Sequence, residues 1–104
     1  MKKEISKINT YINFAIKSGD CVFGVDKILK TKPYLIIYHE SLANNSLNKI
    51  KTKLHDVLIV MLNEVFDAFV DKDIKVLAIC NKNLANACIE ILRLKGLLGG
   101  ITVE

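Results

Sequence analysis

Apolar residues return every three or four positions through KEISKINTYINFAIKS (3–18). There Ile5, Ile8, Ile12 and Ile16 form one stripe, which predicts a helix over 5–17. Gly19 follows it, as a glycine commonly does just past a helix C-terminus. CVF (21–23) reads as a short apolar strand, and Gly24 turns the chain. VDKILKTK (25–32) then opens a second helix, with Val25, Ile28 and Leu29 on one face and Lys27 and Lys30 toward the other. Pro33 bars further helix.

Three later runs abandon this rhythm. Strands are predicted at 34–38 in YLIIYH, at 57–62 in VLIVML and at 74–80 in IKVLAIC. Each is continuously apolar rather than alternating, as expected of strands buried on both faces. Amphipathic segments separate them. ESLANNSLNKIKTKL (40–54) is polar and helical with Leu47, Ile50 and Leu54 on one side, and its Asn44 reads as a helix start rather than a glycosylation site. NEVFDAF (63–69) reads as a short helix capped by Asn63. NKNLANACIEILRLKGLL (81–98) is a closing helix capped by Asn81, packed on the sheet over 82–94, with Gly96 near its end. GGITVE (99–104) is a loosely held tail.

The order is a helix followed by four strand–helix pairs. Buried strands alternating with amphipathic helices predict an α/β protein, a three-layer α/β/α sandwich around a four-stranded, mostly buried sheet. The strands are expected to be largely parallel. The 104 residues suit a single domain over 1–104, without repeats or linkers.

Composition narrows the function. No apolar run is long enough to span a bilayer, and the N-terminal stretch lacks a signal peptide's apolar core. A cytoplasmic protein without membrane contact is expected. Cys21, Cys80 and Cys88 are odd in number and contain no CxxC, which argues against a zinc ribbon or a redox pair. They read as small buried hydrophobes, with Cys80 and Cys88 inert and reduced. His39 and His55 are present, but nothing in the sequence sets either beside a cysteine. The net charge of +4 is uneven: residues 1–53 hold ten Lys against four acids, a net of +6, and residues 54–104 hold five bases against seven acids, a net of −2. Such sidedness points to a polyanion partner or to a lysine-rich solvated face. GDCVFGVDKILK (19–30) has two glycines five apart, but Val25 and Asp26 follow Gly24 where a phosphate loop needs Lys and Ser or Thr. A carboxylate at that place repels phosphate, so nucleotide binding of that kind is excluded.

INFAIKSGDCVFGVDKILKTKPYLIIYHES (12–41) and DVLIVMLNEVFDAFVDKDIKVLAICNKNLANA (56–87) together resemble the L-seven-Ae and L-thirty-e family of ribosomal proteins, and most of all its YlxQ-like bacterial members. The shared features are a basic and glycine end to the first helix, a short strand, and the Gly-x-x-x-x-x-Lys segment from Gly24 to Lys30. A strand ending in an acid, here Glu40, and a final helix opening with a small polar residue complete the set. The resemblance spans nearly the whole chain, and its specificity lies in the order of the pieces.

The resemblance implies the same sandwich and a function in binding structured RNA, either ribosomal RNA or a kink-turn. A monomer is implied, with the ribosome or other proteins as further partners, and no catalytic residue, cofactor or metal. Its RNA-binding surface maps onto Lys17, Gly24, Val25, Asp26, Lys27, Lys30 and Lys32, with Lys72 in the loop VDKDI (70–74) before the last strand. Backbone N–H groups and lysines at a helix N-terminus suit phosphate oxygens. The chain departs from the family at one pair. Kink-turn binders place Asn-Glu where this chain has Asp26 and Lys27, and Lys30 is retained. Asp26 accepts hydrogen bonds but lacks the amide donor, and Lys27 donates but cannot accept. Two other classes therefore stand beside RNA binding: a protein–protein adaptor on the same fold, and a small enzyme, for which no triad, metal cluster or phosphate loop is present.

Overall fold

The structure, a computed structural model, describes residues 2–54, 57–63, 65–66 and 74–94. Helix α1 (Lys2–Ser18) leads into strand β1 (Cys21–Phe23) and the single turn α2 (Val25–Ile28). Strand β2 (Leu35–Tyr38), helix α3 (Asn44–Lys53), strands β3 (Leu58–Met61) and β4 (Val76–Ile79), and helix α4 (Lys82–Leu94) follow.

The end of α1 is set by Gly19. Its φ of +80° is open to glycine and strained for other residues. That turn lets Gly19 N–H donate to the Ile16 carbonyl (3.2 Å) and Asp20 N–H to the Ala15 carbonyl (2.7 Å), satisfying carbonyls the helix end would leave unpaired. The buried stripe of α1 is Ile8, Ile12 and Ala15, while Ile16 is 37% exposed. The expectation for Ile16 is corrected by the pitch of the helix: at 3.6 residues per turn, Ala15 falls back in line with Ile8 and Ile16 overshoots.

The four strands form one sheet in the order β1-β4-β2-β3. Continuous apolar sequence in β2 and β4 reflects burial on both faces. Leu35, Ile37, Leu77 and Ile79 join Ile8, Ile12, Ala85, Cys88 and Leu92 in one core beneath α1 and α4. The alternate residues Ile36, Val76 and Ala78 join Ile28 and Ile50 in a second core beneath α2 and α3. The chain is therefore the α/β/α sandwich its periodicity predicts.

The expectation of a largely parallel sheet does not hold. β2 pairs parallel with β3, but β4 lies between β1 and β2 and runs antiparallel to both. The connections show why. Leu62 N–H donates to the Tyr38 carbonyl (3.0 Å), Glu40 N–H to Asn63 Oδ1 (2.8 Å), and His39 N–H to the Lys75 carbonyl (2.8 Å). Both ends of the segment from 62 to 75 thus sit at the carboxyl end of β2. The chain leaves and re-enters the sheet at one end, so β4 must run back. β1, β2 and β3 share one direction, and their carboxyl ends lie together.

Two local expectations are also corrected, while α3 begins at Asn44, the helix start its sequence marks. α2 stops at Ile28 instead of continuing to 32. Asn63, expected to cap 63–69, spends its side-chain oxygen on Glu40; most of that segment lies outside the described residues.

Candidate nucleic-acid interface

The carboxyl end of β1 meets Gly24, whose φ of +88° and ψ of 143° swing the chain from strand into α2. A Cβ at Gly24 would meet nothing within 4 Å, so the backbone conformation, not crowding, calls for glycine here. Gly24 N–H donates to the Val76 carbonyl (3.4 Å), fixing the turn beside the start of β4. Gly24 has no side chain to cap α2, so the first-turn N–H groups of Val25, Asp26 and Lys27 have no side-chain cap. Ile28 is fully buried and Val25 and Leu29 half-buried in the second core, which anchors the turn and directs Asp26 and Lys27 to solvent.

Beyond Ile28 the chain tightens. Lys30 N–H donates to the Lys27 carbonyl (3.1 Å) and Thr31 N–H to the Ile28 carbonyl (3.1 Å), and Thr31 Oγ1 donates to the same Ile28 oxygen (2.8 Å). In such i to i+3 turns the residues three apart are eclipsed, so Lys27 and exposed Lys30 share one side without a regular helix between them. Because α2 is a single turn of four residues, few peptide dipoles add at its start. Positive potential at this place comes from the lysines more than from the helix. Among the described residues, none of Lys27, Lys30 and Lys32 enters an ion pair.

The eight residues singled out from the sequence divide in space. Gly24, Val25, Asp26 and Lys27 follow the carboxyl end of β1 beside the start of β4, and exposed Glu40 follows the carboxyl end of β2 at the same end of the sheet. Lys30 lies partway down the layer and Lys32 near the amino end of β2. Lys17 is exposed on the last turn of α1, in the opposite layer and at the far end of β1, and does not join the cluster. Lys72 lies outside the described residues. The sequence reading missed α3: Lys49, Lys51 and Lys53 are exposed on the same layer as α2, on a helix with no acid in its first turn. The available signal was the absence of any Asp or Glu between 41 and 55.

The opposite end of the sheet holds a polar latch. Asp20 Oδ2 accepts from Ser18 Oγ (2.8 Å) and from Asn81 Nδ2 (3.1 Å), while the Asp20 carbonyl accepts from Cys80 N–H (2.7 Å). Asn81 Oδ1 accepts from Leu84 N–H (3.1 Å), so one side chain caps α4 and ties it to the end of α1.

The cysteines lie near this end. Burial pushes the Cys21 thiol up to about 12, helped by Cys80 and Cys88, and burial alone pushes Cys88 up to about 12. Cys88 is fully buried as expected, whereas Cys80 and Cys21 are only partly so, because both lie where β1 and β4 meet the exposed latch. His39 stands at the other end of the sheet, with Nδ1 accepting from Ser41 N–H (3.0 Å) and sharing a 2.9 Å hydrogen bond with Ser41 Oγ; it forms no pair with Cys21 or Cys80. His55 lies outside the described residues.

Among the described residues no three His, Cys, Asp or Glu side chains are grouped to hold a metal ion. No helix among them is long and apolar enough to cross a membrane. Compared with known proteins, the chain matches no family model and no curated protein.

Proposed function

We propose that this chain binds structured RNA through the strand-to-helix segment 24–30. The observation that carries the reading is the group of solvent-facing lysines, Lys27, Lys30 and Lys32, without ion pairs among the described residues, directly after a glycine turn with uncapped backbone N–H groups. Phosphate oxygens are satisfied by that combination of charge and N–H donors. The resemblance of 12–41 and 56–87 to the L-seven-Ae family supports the same reading and suggests a kink-turn, in ribosomal or related RNA. Gly24 and Glu40 follow the carboxyl ends of β1 and β2, which lie at one end of the sheet.

Gel shifts at several salt concentrations, with a kink-turn RNA and a straight duplex of equal length, test this. Lys30→Ala is expected to lower RNA affinity by roughly 1 kcal/mol and to reduce the salt slope by about one counterion. Asp26→Asn combined with Lys27→Glu restores the kink-turn pair while lowering net charge by one. Tighter binding to the kink-turn than to the duplex supports kink-turn recognition; no gain refutes it and leaves non-specific binding. A flat salt response in the unmodified chain refutes RNA binding and favours the adaptor, a reading that exposed Asp26 beside Lys27 also supports.

A further inference from the structure

The outer face of α3 lies outside segment 24–30, and its polar residues have been given no role beyond the exposure of its lysines. Asn45, Asn48, Lys49, Thr52 and Lys53 line an open depression along it. Their spacing of three and four places them on one stripe of the helix. On the other side of the helix Ile50 and Leu54 pack into the second core, so the orientation of α3 is held by burial and its polar stripe is left to solvent. α3 packs against α2 on the same face of the sheet. The layer therefore carries Lys27, Lys30, Lys32, Lys49, Lys51 and Lys53, against Asp26 as the single acid within α2, its following turn and α3. None of the six lysines enters an ion pair among the described residues.

We infer that the α3 stripe is a second nucleic-acid contact, in which Lys49 and Lys53 take successive phosphates and Asn45, Asn48 and Thr52 bond the sugar–phosphate backbone of an RNA arm leaving segment 24–30. This rests on the RNA reading above and extends it from a turn to a layer. The chemistry selects nucleic acid over an acidic protein. Protein interfaces place apolar and aromatic anchors at their centre. This stripe has none; it alternates cations with amide and hydroxyl groups, the set that meets phosphate and sugar oxygens. Lys49 and Lys53 are one helical turn apart, about 6 Å along the axis. That matches the repeat of phosphates along one strand. The stripe has no base-reading geometry, so its contribution is independent of sequence and steep in salt.

The test compares Lys49→Ala with Lys53→Ala against a control pair of equal charge on the opposite layer, Lys7→Ala with Lys82→Ala. Both pairs are measured by fluorescence anisotropy against an RNA whose helical arm extends about ten base pairs, and against the same RNA with the arm removed. The α3 pair is expected to weaken binding to the long RNA roughly tenfold near physiological salt and to lower the log–log salt slope by about two. It should leave the short RNA nearly unaffected, and the control pair should change neither. Equal losses from both pairs would reduce the effect to net charge and overturn the inference. Unchanged binding by the α3 pair, with binding lost in Lys27→Ala and Lys30→Ala, would overturn it while leaving the proposed function standing. No RNA binding by the unmodified chain would fail the proposed function itself. Poly-glutamate competing as well as RNA for the α3 stripe would reassign the stripe to an acidic protein.

Discussion

Asn81 joins two helices through one side chain, and its two bonds can be removed separately. Its Oδ1 caps α4 at Leu84 N–H, and its Nδ2 donates to Asp20 Oδ2. Loss of an N-cap costs about 1 kcal/mol. A hydrogen bond to an ionised carboxylate contributes about 1.5–3 kcal/mol when well shielded, and this part-buried one at 3.1 Å belongs at or below the lower end. Asn81→Ala removes both and is expected to destabilise by about 2 kcal/mol. Asn81→Ser keeps a capping oxygen but cannot reach Asp20, so it is expected to lose about 1 kcal/mol, the share of the latch alone. In an Asp20→Ala background the cost of Asn81→Ser should shrink toward zero, because the bond it deletes is already gone. Urea denaturation reads these as midpoint shifts at constant slope. Equal costs for Asn81→Ser and Asn81→Ala, or additivity of Asn81→Ser with Asp20→Ala, would refute the assignment of two separate bonds.

Two further outcomes follow from the backbone and the buried thiols. Gly24→Ala should destabilise by about 1–2 kcal/mol purely through its positive φ, since the added methyl meets no neighbour; a thermal melt showing no loss would mean the turn relaxes. Cys21 and Cys88 keep their protons in the folded chain up to about 12, while an unfolded thiol releases its own near 9.0. Stability should therefore fall as pH rises from 9 toward 12, and Cys88→Ala should make that fall shallower; an unchanged pH profile would count against the burial of that thiol. Native labelling at pH 8 should likewise be slow at Cys88 and become fast in urea.

Much of this protein was readable from local sequence because the physics is local. Helical and strand runs differ in hydrophobic period, and the continuous apolar runs of β2 and β4 announced strands with both faces covered, whereas edge strand β3 leaves Met61 exposed. The turn at Gly19 and the cap that Asn81 gives α4 act within five positions of themselves, and each does what its residue type predicts. What failed depended on partners far along the chain. Alternation of strands and helices suggested parallel pairing, but β4 was placed by the meeting of residues 38–40 with 62, 63 and 75. Asn63 was a plausible cap until tertiary structure brought Glu40 N–H to it across 23 positions. The length of α2 was set by Ile28 reaching the second core and by the i to i+3 turns after it, which shortened the predicted helix and moved the positive potential from its dipole to its lysines. The candidate surface shows the same division. The sequence marked the lysines and the glycine turn one by one, while only the folding of α2 and α3 onto one face of the sheet gathered six lysines and left Lys17 behind on the other. Charge is a property of residues, but a charged surface is a property of which residues the core brings side by side.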